Sequence, residues 1–184
     1  MNDIDIISLS NMPARNITHA LADLLEDAVK HGASVGFVDT DTFADFCAFW
    51  DQEIAEHHAG NQIIICAVDN HTVVGSVVLT FESATNAPHR ADVRKLLVKS
   101  THRNQGIATR LLQAVDIVAA RHNRTLLVLD TEANTPAAKL YEKLGWQTAG
   151  TITRYAALPN GSLADCTFYF KHQDTAGDNH DSAH

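Results

Sequence analysis

Cysteine is scarce in this chain. The three that occur, Cys47, Cys66 and Cys166, are scattered and form neither a paired framework nor a CxxC motif. A disulfide scaffold is therefore excluded, and a reducing, cytoplasmic setting is expected. Cations are also in short supply: 14 Lys and Arg stand against 22 Asp and Glu, a net charge of −8. A surface of that sign repels phosphate chains, so nucleic acid is not an expected partner, and basic substrates are mildly favoured. No apolar run approaches the ~18 residues of a membrane span. The start of the chain, with Asp3 and Asp5, lacks the basic-then-apolar pattern of a secretory signal. No membrane partner is expected, and the sequons at Asn70 and Asn160 are read as chance matches.

Missing motifs narrow the chemistry further. The loop Gly32 to Phe37 is glycine-rich but does not carry GxxxxGK[ST], so it is not read as a nucleotide loop. There is no HExxH and no Cys/His cluster at ligand spacing; His57 and His58 are helix neighbours that point apart, and His172, His180 and His184 bind metal only adventitiously. No metal is expected. A serine hydrolase is disfavoured by the lack of a GxSxG elbow.

What is present suits one globular domain. The chain has 184 residues with 45% hydrophobic and 20% charged content, enough for one sizeable core. The domain is expected over residues 1–172, and the polar, aperiodic tail 173–184 is expected to be disordered. Ile4, Ile6 and Ile7 suggest a first strand. Asn16 to Lys30 reads as an amphipathic helix with Ile17, Leu21, Leu24, Leu25 and Ala28 on one face, stopped by Gly32. Thr40 or Asp41 is expected to cap a second helix with Phe43, Phe46, Cys47, Trp50 and Ile54 inward. Strands follow at Gln62–Val68 and Thr72–Phe81 around an Asp69-Asn70-His71 hairpin turn. Thr125–Asp130 is short and apolar, as in a strand buried on both faces. Thr135 caps a helix with Pro136 at its first position and Gly145 past its end. Trp146–Ile152 and Asp165–Lys171 read as the last strands. The order β, two helices, three strands, helix, strand, helix, two strands predicts a mixed, three-layer α/β fold with parallel pairing across the helical crossovers.

The most informative stretch is Ala91 to Ala108. Leu96, Leu97 and Val98 end a strand, Lys99 to His102 break it, and Arg103-Asn104-Gln105-Gly106 lead into a helix beginning Ile107-Ala108-Thr109. Leu111, Leu112, Val115, Val118 and Ala119 carry the helical period onward. A basic, glycine-containing turn before a helix is an anion site, because the first helical amides have no internal partner and lie at the positive end of the dipole. A diphosphate suits it, with Gly106 permitting close approach and Arg103 adding charge.

Arg103-x-x-Gly106-x-Ala108 after Leu96-Leu97-Val98 resembles the coenzyme-A signature of the GNAT family of N-acetyltransferases, and NTPAAKLYEKLGW (Asn134 to Trp146) resembles that family's next characteristic segment. The resemblance implies the acyl-CoA N-acyltransferase fold, a mixed sheet of about seven strands with four helices. It also implies acetyl-CoA as cosubstrate, held by Leu96, Leu97, Val98, Arg103, Asn104, Gln105, Gly106, Ile107, Ala108, Thr109, Asn134, Ala137 and Tyr141. Asn104 stands where a glycine is common in the family, Ser100 where a proline often lies, and Ala108 where the last position is glycine or alanine. Within the family, GASVGF, RADVRKLLV, LDTEA and the LPNGSL to FYFK ending resemble the tabtoxin-resistance members.

Acetyl transfer to an amine requires deprotonation of the ammonium, polarisation of the thioester carbonyl and a proton for the leaving thiolate. Tyr141 is the candidate acid; its other reading is as part of the apolar stripe Ala137, Leu140, Tyr141, Leu144. Asn134, two helical turns earlier, is expected on the same face roughly 10 Å away. Backbone amides around Leu97 and Val98 would polarise the carbonyl. Asp130 is the first candidate base and Asp92 the second, with Glu82 a further option; either aspartate could instead anchor the substrate ammonium. Phe37, Arg154 and Tyr155 flank the acceptor side together with these aspartates. The expected reaction is direct attack by a small-molecule primary amine in a ternary complex, possible service in toxin resistance included. The alternatives are a protein or peptide acetyltransferase and a non-catalytic acyl-CoA sensor. The chain is expected to be a monomer or a homodimer through its final strands.

Overall fold

The computed structural model describes residues 4–12 and 16–173; the rest of the expected tail, with His180 and His184, lies outside the described residues. Gln173 itself belongs to the fold. Its amide donates to the Thr125 carbonyl at 2.9 Å and its side chain to Asp116 at 2.8 Å.

The elements follow in the order β1 (Asp5–Ser8), α1 (Ile17–Lys30), α2 (Phe43–His58), β2 (Gln62–Asp69), β3 (Thr72–Phe81), β4 (Arg90–Val98), α3 (Ile107–Arg121), β5 (Leu126–Glu132), α4 (Pro136–Lys143), β6 (Gln147–Ala157) and β7 (Leu163–His172), with 3-10 turns after β1 and β4. Among the described residues they build the expected mixed α/β fold, a seven-stranded sheet in the order β1-β2-β3-β4-β5-β7-β6. Only β4 and β5 pair in parallel. The crossover through α4 does not make a second parallel pair, because β7 inserts between β5 and β6 and pairs antiparallel with both.

Helices cover both faces, and the strand alternation sorts the core between them. Against α1 and α2 lie Ile64, Cys66, Val78 and Leu97, packed on Leu21, Leu24, Leu25, Phe46 and Trp50. Against α3 and α4 lie Ala67, Val77, Leu79, Ala91, Val93, Leu127 and Leu129, packed on Ile107, Leu111, Val115 and Tyr141.

Local sequence chemistry explains the boundaries. α2 is capped by Thr42 rather than by Thr40 or Asp41: the Thr42 and Asp45 side chains reciprocate a capping box, while Asp41 accepts the Val38 amide at 2.6 Å. Phe43, expected inside, is 37% exposed, because the first helical residue points outward beside His19. The β2–β3 hairpin turns on Asn70 and His71, both at positive φ, as a two-residue hairpin requires. β6 runs five residues past Ile152, and nearly all of it is exposed because it is the sheet edge. β5 is not buried on both faces. Leu127 and Leu129 are buried toward α3 and α4, whereas Asp130 on the opposite face is open to solvent.

The sheet also has a fault in its middle. The β4–β5 register is Arg90 with Leu126, Ala91 with Leu127 and Asp92 with Val128, and there the pairing ends although both strands continue. Opposite Ser76 and Val78 of β3 the β4 register slips, at Lys95, whose φ is 51°.

Gly75 marks how tightly this region is packed. A Cβ there would lie 3.0 Å from the Leu97 carbonyl oxygen, 3.2 Å from Leu111 Cδ1 and 3.3 Å from the Ala67 Cβ. Gly75→Ala is expected to destabilise the fold by about 1–3 kcal/mol through overpacking, read as a lower urea midpoint at unchanged slope.

Candidate active site

The residues expected to form an anion site lie in the turn after β4. Ser100–His102 form a single 3-10 turn, Asn104 takes φ 62° and Gly106 φ 78°. Asparagine tolerates this left-handed backbone better than most residues, so its presence in place of glycine leaves the turn intact. Gly106 occupies the N-cap of α3, with no side chain capping the helix and open space where its Cβ would lie. The first amides of α3, at Ile107, Ala108 and Thr109, therefore face outward without an internal acceptor. That uncapped cradle fits a diphosphate, with Gln105 beside it in the turn. Arg103 is placed less directly than its charge suggested. Its Nε donates to the Val98 carbonyl at 3.2 Å, and its guanidinium lies 4.0 Å from Asp27.

Asp27 of α1 fastens this turn, accepting the Ser100 amide and the Ser100 hydroxyl, each at 2.7 Å. Partial burial pushes its carboxyl up, but the two Ser100 bonds, with His31 and Arg103, outweigh that and leave it below the ordinary range. In the sequence Asp27 is an ordinary acid of an amphipathic helix; the one signal was Ser100, a residue that can donate where the family often has proline.

The parted strands form the centre of the site. Before the slip, even-numbered residues of β4 bond to β3, as the Glu82 amide does with the Arg90 carbonyl. After it the phase is inverted, since the Lys99 amide bonds to the Val74 carbonyl and Leu97 pairs with Ser76. By that alternation the backbone groups of Leu96 and Val98 face the gap beside β5, while Leu97 belongs to the β3 ladder. The expectation of Leu97 and Val98 is thus corrected to Leu96 and Val98. The side chains of Leu96 and Val98 pack against the α3 and α4 core.

On the α1 and α2 face of the gap stand Asp92 and Asp130, two residues apart in the β4–β5 register. Burial raises the Asp92 carboxyl, and Glu82 and Asp130 add to that against Arg90 and Arg94. Asp130 is reached by solvent from the cleft yet enclosed on its other sides; that desolvation raises its carboxyl, opposed by Lys95 and a backbone hydrogen bond. Glu82 is removed from candidacy. It is bound to Arg90 and to the Ser83 and Ala84 amides, and the Ala84 bond first, then Arg90, hold its carboxyl low.

Aromatic groups predominate among the residues expected to flank the acceptor side. Phe168 lies beside Asp130 in the β5–β7 register, and Tyr155 meets it edge-on at 5.1 Å. Tyr155 is 51% exposed. Arg154, at φ 53°, donates its amide to Asp165 at 2.8 Å and its side chain is exposed. Phe37 is turned into α2, edge-on to Phe46 and Phe49. Beside it the Lys95 ammonium donates to the Val35 carbonyl at 2.6 Å. The sequence hid this lysine, because R-K-L-L-V reads as an unbroken strand.

Tyr141 comes from the other face. It is buried on α4 against Trp146 and Tyr169, and burial, then the Asp130 carboxylate, raise its phenol well above the ordinary range. It therefore holds its proton on Oη throughout the neutral range, as a donor must. Asn134 does not share its helical face. α4 begins at Pro136 with Thr135 as cap, and Asn134 sits before it in a left-handed turn, φ 61°. Ala137 is half-buried against the α3 and α4 core.

An open groove of about 640 Å³ between α1 and α2, lined by Asn16 to His19, Phe43, Ala44, Cys47, Ala48 and Asp51, carries none of these groups. Among the described residues no three His, Cys, Asp or Glu side chains converge as metal ligands, and no helix is long and apolar enough to cross a membrane.

Comparison with known proteins identifies the family and supports the fold. The model of the acetyltransferase (GNAT) family matches residues 20–146, and the chain belongs to that family. Its members use acetyl-CoA, and the chain is an acetyl-CoA-dependent N-acetyltransferase. It is 29% identical over 122 residues to the L-amino acid N-acetyltransferase AaaT of Escherichia coli, covering 65% of this chain and 72% of that one. It is 30% identical over 99 residues to N-alpha-acetyltransferase 30 of Schizosaccharomyces pombe, covering 53% and 66%. In fold it is similar to the Salmonella typhimurium protein yncA, solved with its cofactor acetyl-CoA, at a TM-score of 0.76, 17% identity and 98% and 99% coverage.

Removing the phenol isolates the candidate acid. Tyr141→Phe keeps the ring contacts with Trp146 and Tyr169, so coenzyme affinity by calorimetry is expected to change by less than about threefold, while kcat for thiol release falls about 100-fold.

Proposed function

We propose that the chain moves the acetyl group of acetyl-CoA onto a primary amine of a small molecule, by direct attack in a ternary complex within the cytoplasm. The observation that carries this reading is the gap between β4 and β5, with two carboxylates on one face and a protonated phenol on the other. When bound, the coenzyme supplies an activated acetyl thioester. The α3 N-terminus with Arg103 to Thr109 would hold its diphosphate, and the Leu96 and Val98 backbone, Asn134 and Ala137 its pantetheine arm. Asp130 takes the amine proton, directly or through water, and Asp92 attracts the ammonium. Their raised carboxyls make them better bases than free aspartate. Tyr141 returns a proton from the opposite face.

A small acceptor is supported by the loop from Gly32 to Thr42, which crosses the acceptor side. Its Val35 carbonyl is tied to Lys95 and its Asp39 amide to the Pro159 carbonyl at 2.9 Å, joining β4 to the β6–β7 turn. Similarity to an L-amino acid N-acetyltransferase supports the same class. The tabtoxin-resistance resemblance adds a protective role against an amine-bearing toxin to this proposal. Acetylation of a protein N-terminus is the second reading, favoured by similarity to N-alpha-acetyltransferase 30.

Thiol release from acetyl-CoA across amino acids, dipeptide analogues, polyamines, aminoglycosides and peptides tests the reading. Turnover is expected with one class of small amine. In Asp130→Asn the rate is expected to fall about 100-fold, with loss of the ascending pH limb that the raised Asp130 carboxyl places above the ordinary aspartate range. Turnover confined to peptides would transfer the function to the second reading. Coenzyme binding without turnover on any amine would leave the protein an acyl-CoA sensor.

A further inference from the structure

Lys95 is a charged side chain that the reaction above does not use, although it stands at the slip in β4. Its backbone is left-handed inside a strand, φ 51°, a conformation that L-residues with long side chains avoid. Two contacts hold it. The Ser76 hydroxyl donates to its carbonyl at 3.1 Å, and its Nζ reaches under the α1–α2 loop to the Val35 carbonyl at 2.6 Å. There the ammonium lies 4.9 Å from the Phe49 ring centroid and 5.7 Å from that of Phe37, within cation–π range. Gly36 lies alongside: a Cβ there would stand 3.4 Å from Nζ.

We propose that Lys95 is a positioning residue for acyl transfer: its anchored ammonium holds β4 in the left-handed bulge that inverts the strand's phase and directs the Leu96 and Val98 amides to the gap where the thioester is polarised. Without the bulge, the even-numbered amides of β4 would continue toward β3, as they do from Arg90 to Arg94, and Leu96 and Val98 would be lost to the gap. The anchor also ties the loop over the acceptor side to the same strand. The inference rests on the acetyltransferase reading of that gap.

The charged groups around the ammonium are Arg94 on β4, Glu53 on α2 and Asp130 on β5. Burial first, and Arg94 second, bring it down from 10.5 to about 8, with Glu53 and Asp130 partly opposing. The charged anchor is therefore present below about pH 8 and lost above it. Between about 8 and 10.5 the unfolded chain binds the proton more readily than the native one, so this group's contribution to stability rises with pH there. A loss of polarisation over that range is not unfolding.

The probe is acetyl-CoA labelled with 13C at the thioester carbonyl, read by infrared difference spectroscopy, beside the amide signals of Leu96 and Val98 in the coenzyme-free protein. The wild-type carbonyl band is expected to move to lower frequency on binding, by less above about pH 8, and both amide signals to titrate with that midpoint. In Lys95→Met the band shift and kcat should fall, kcat by about 10- to 100-fold, with coenzyme affinity within about threefold and no amide titration near 8. Lys95→Arg, whose guanidinium does not titrate, should keep the shift and hold it flat through pH 8. A wild-type band and rate in Lys95→Met, or amides that do not titrate near 8 in the wild type, would overturn the proposal. If Lys95→Met does not fold, the wild-type titration and Lys95→Arg decide; a band in Lys95→Arg that still weakens near 8 overturns it too. If acetyl-CoA does not bind the wild type at all, the acetyltransferase reading fails, while the amide titration still reports whether Lys95 governs the bulge.

Discussion

The site depends on three rungs of parallel pairing. β4 and β5 are bonded from Arg90 to Asp92 and then released, so the sheet is continuous enough to carry a core and open enough to expose main-chain amides at its centre. Unpaired backbone groups inside a protein cost free energy unless something else satisfies them. A sheet that leaves such groups at its middle rung is built to receive a hydrogen-bonding guest. The opening also leaves Asp92 and Asp130 on one face of the sheet and Tyr141 on the other, with no strand pairing between β4 and β5 beyond Asp92. Tyr141 senses the Asp130 charge across it.

The electrostatics follow from that arrangement. Where the cleft walls remove water, both aspartates are pushed toward the neutral form and the phenol away from ionising. Where a carboxylate is tied into a local turn, as in Asp27 and Glu82, hydrogen bonds win and the group stays charged. The division separates carboxyls raised by desolvation from carboxyls held low by the turns they fasten, although all four are of the same chemical kind. A bulge that costs about 1–2 kcal/mol at a non-glycine residue is the local strain this design retains.

Much of the fold was legible because periodicity carries it. The apolar faces of α1 and α3, the β2–β3 hairpin and the Thr135–Pro136 helix start were set by side chains whose local chemistry admits few alternatives. What escaped was decided by competition or by distance. Thr40, Asp41 and Thr42 are all good cap formers, and only Asp45 three residues on selects Thr42. The far half of β6 has no buried face, so it shows no alternation to read. Asn134 fell outside α4 because Thr135 and Pro136 fix the helix start after it. As candidates for the site, Asp92, Asp130, Tyr141 and the Gly106 turn could be picked out from their places beside apolar strands and helix starts. Asp27 and Lys95 could not, because their partners Ser100 and Val35 lie 73 and 60 residues away in the chain.

α1 touches both halves of the site without belonging to either. Asp27 grips the turn that leads into α3, and five residues after α1 ends the Val35 carbonyl meets Lys95. The helix is thus a rigid strut with one hand on the coenzyme turn and the other on the acceptor loop. A strut of this kind makes the two halves mechanically dependent: a displacement of α1 along its axis changes the geometry of both at once. The turn before α3 and the loop over β4 thereby share one frame, set by the placement of α1.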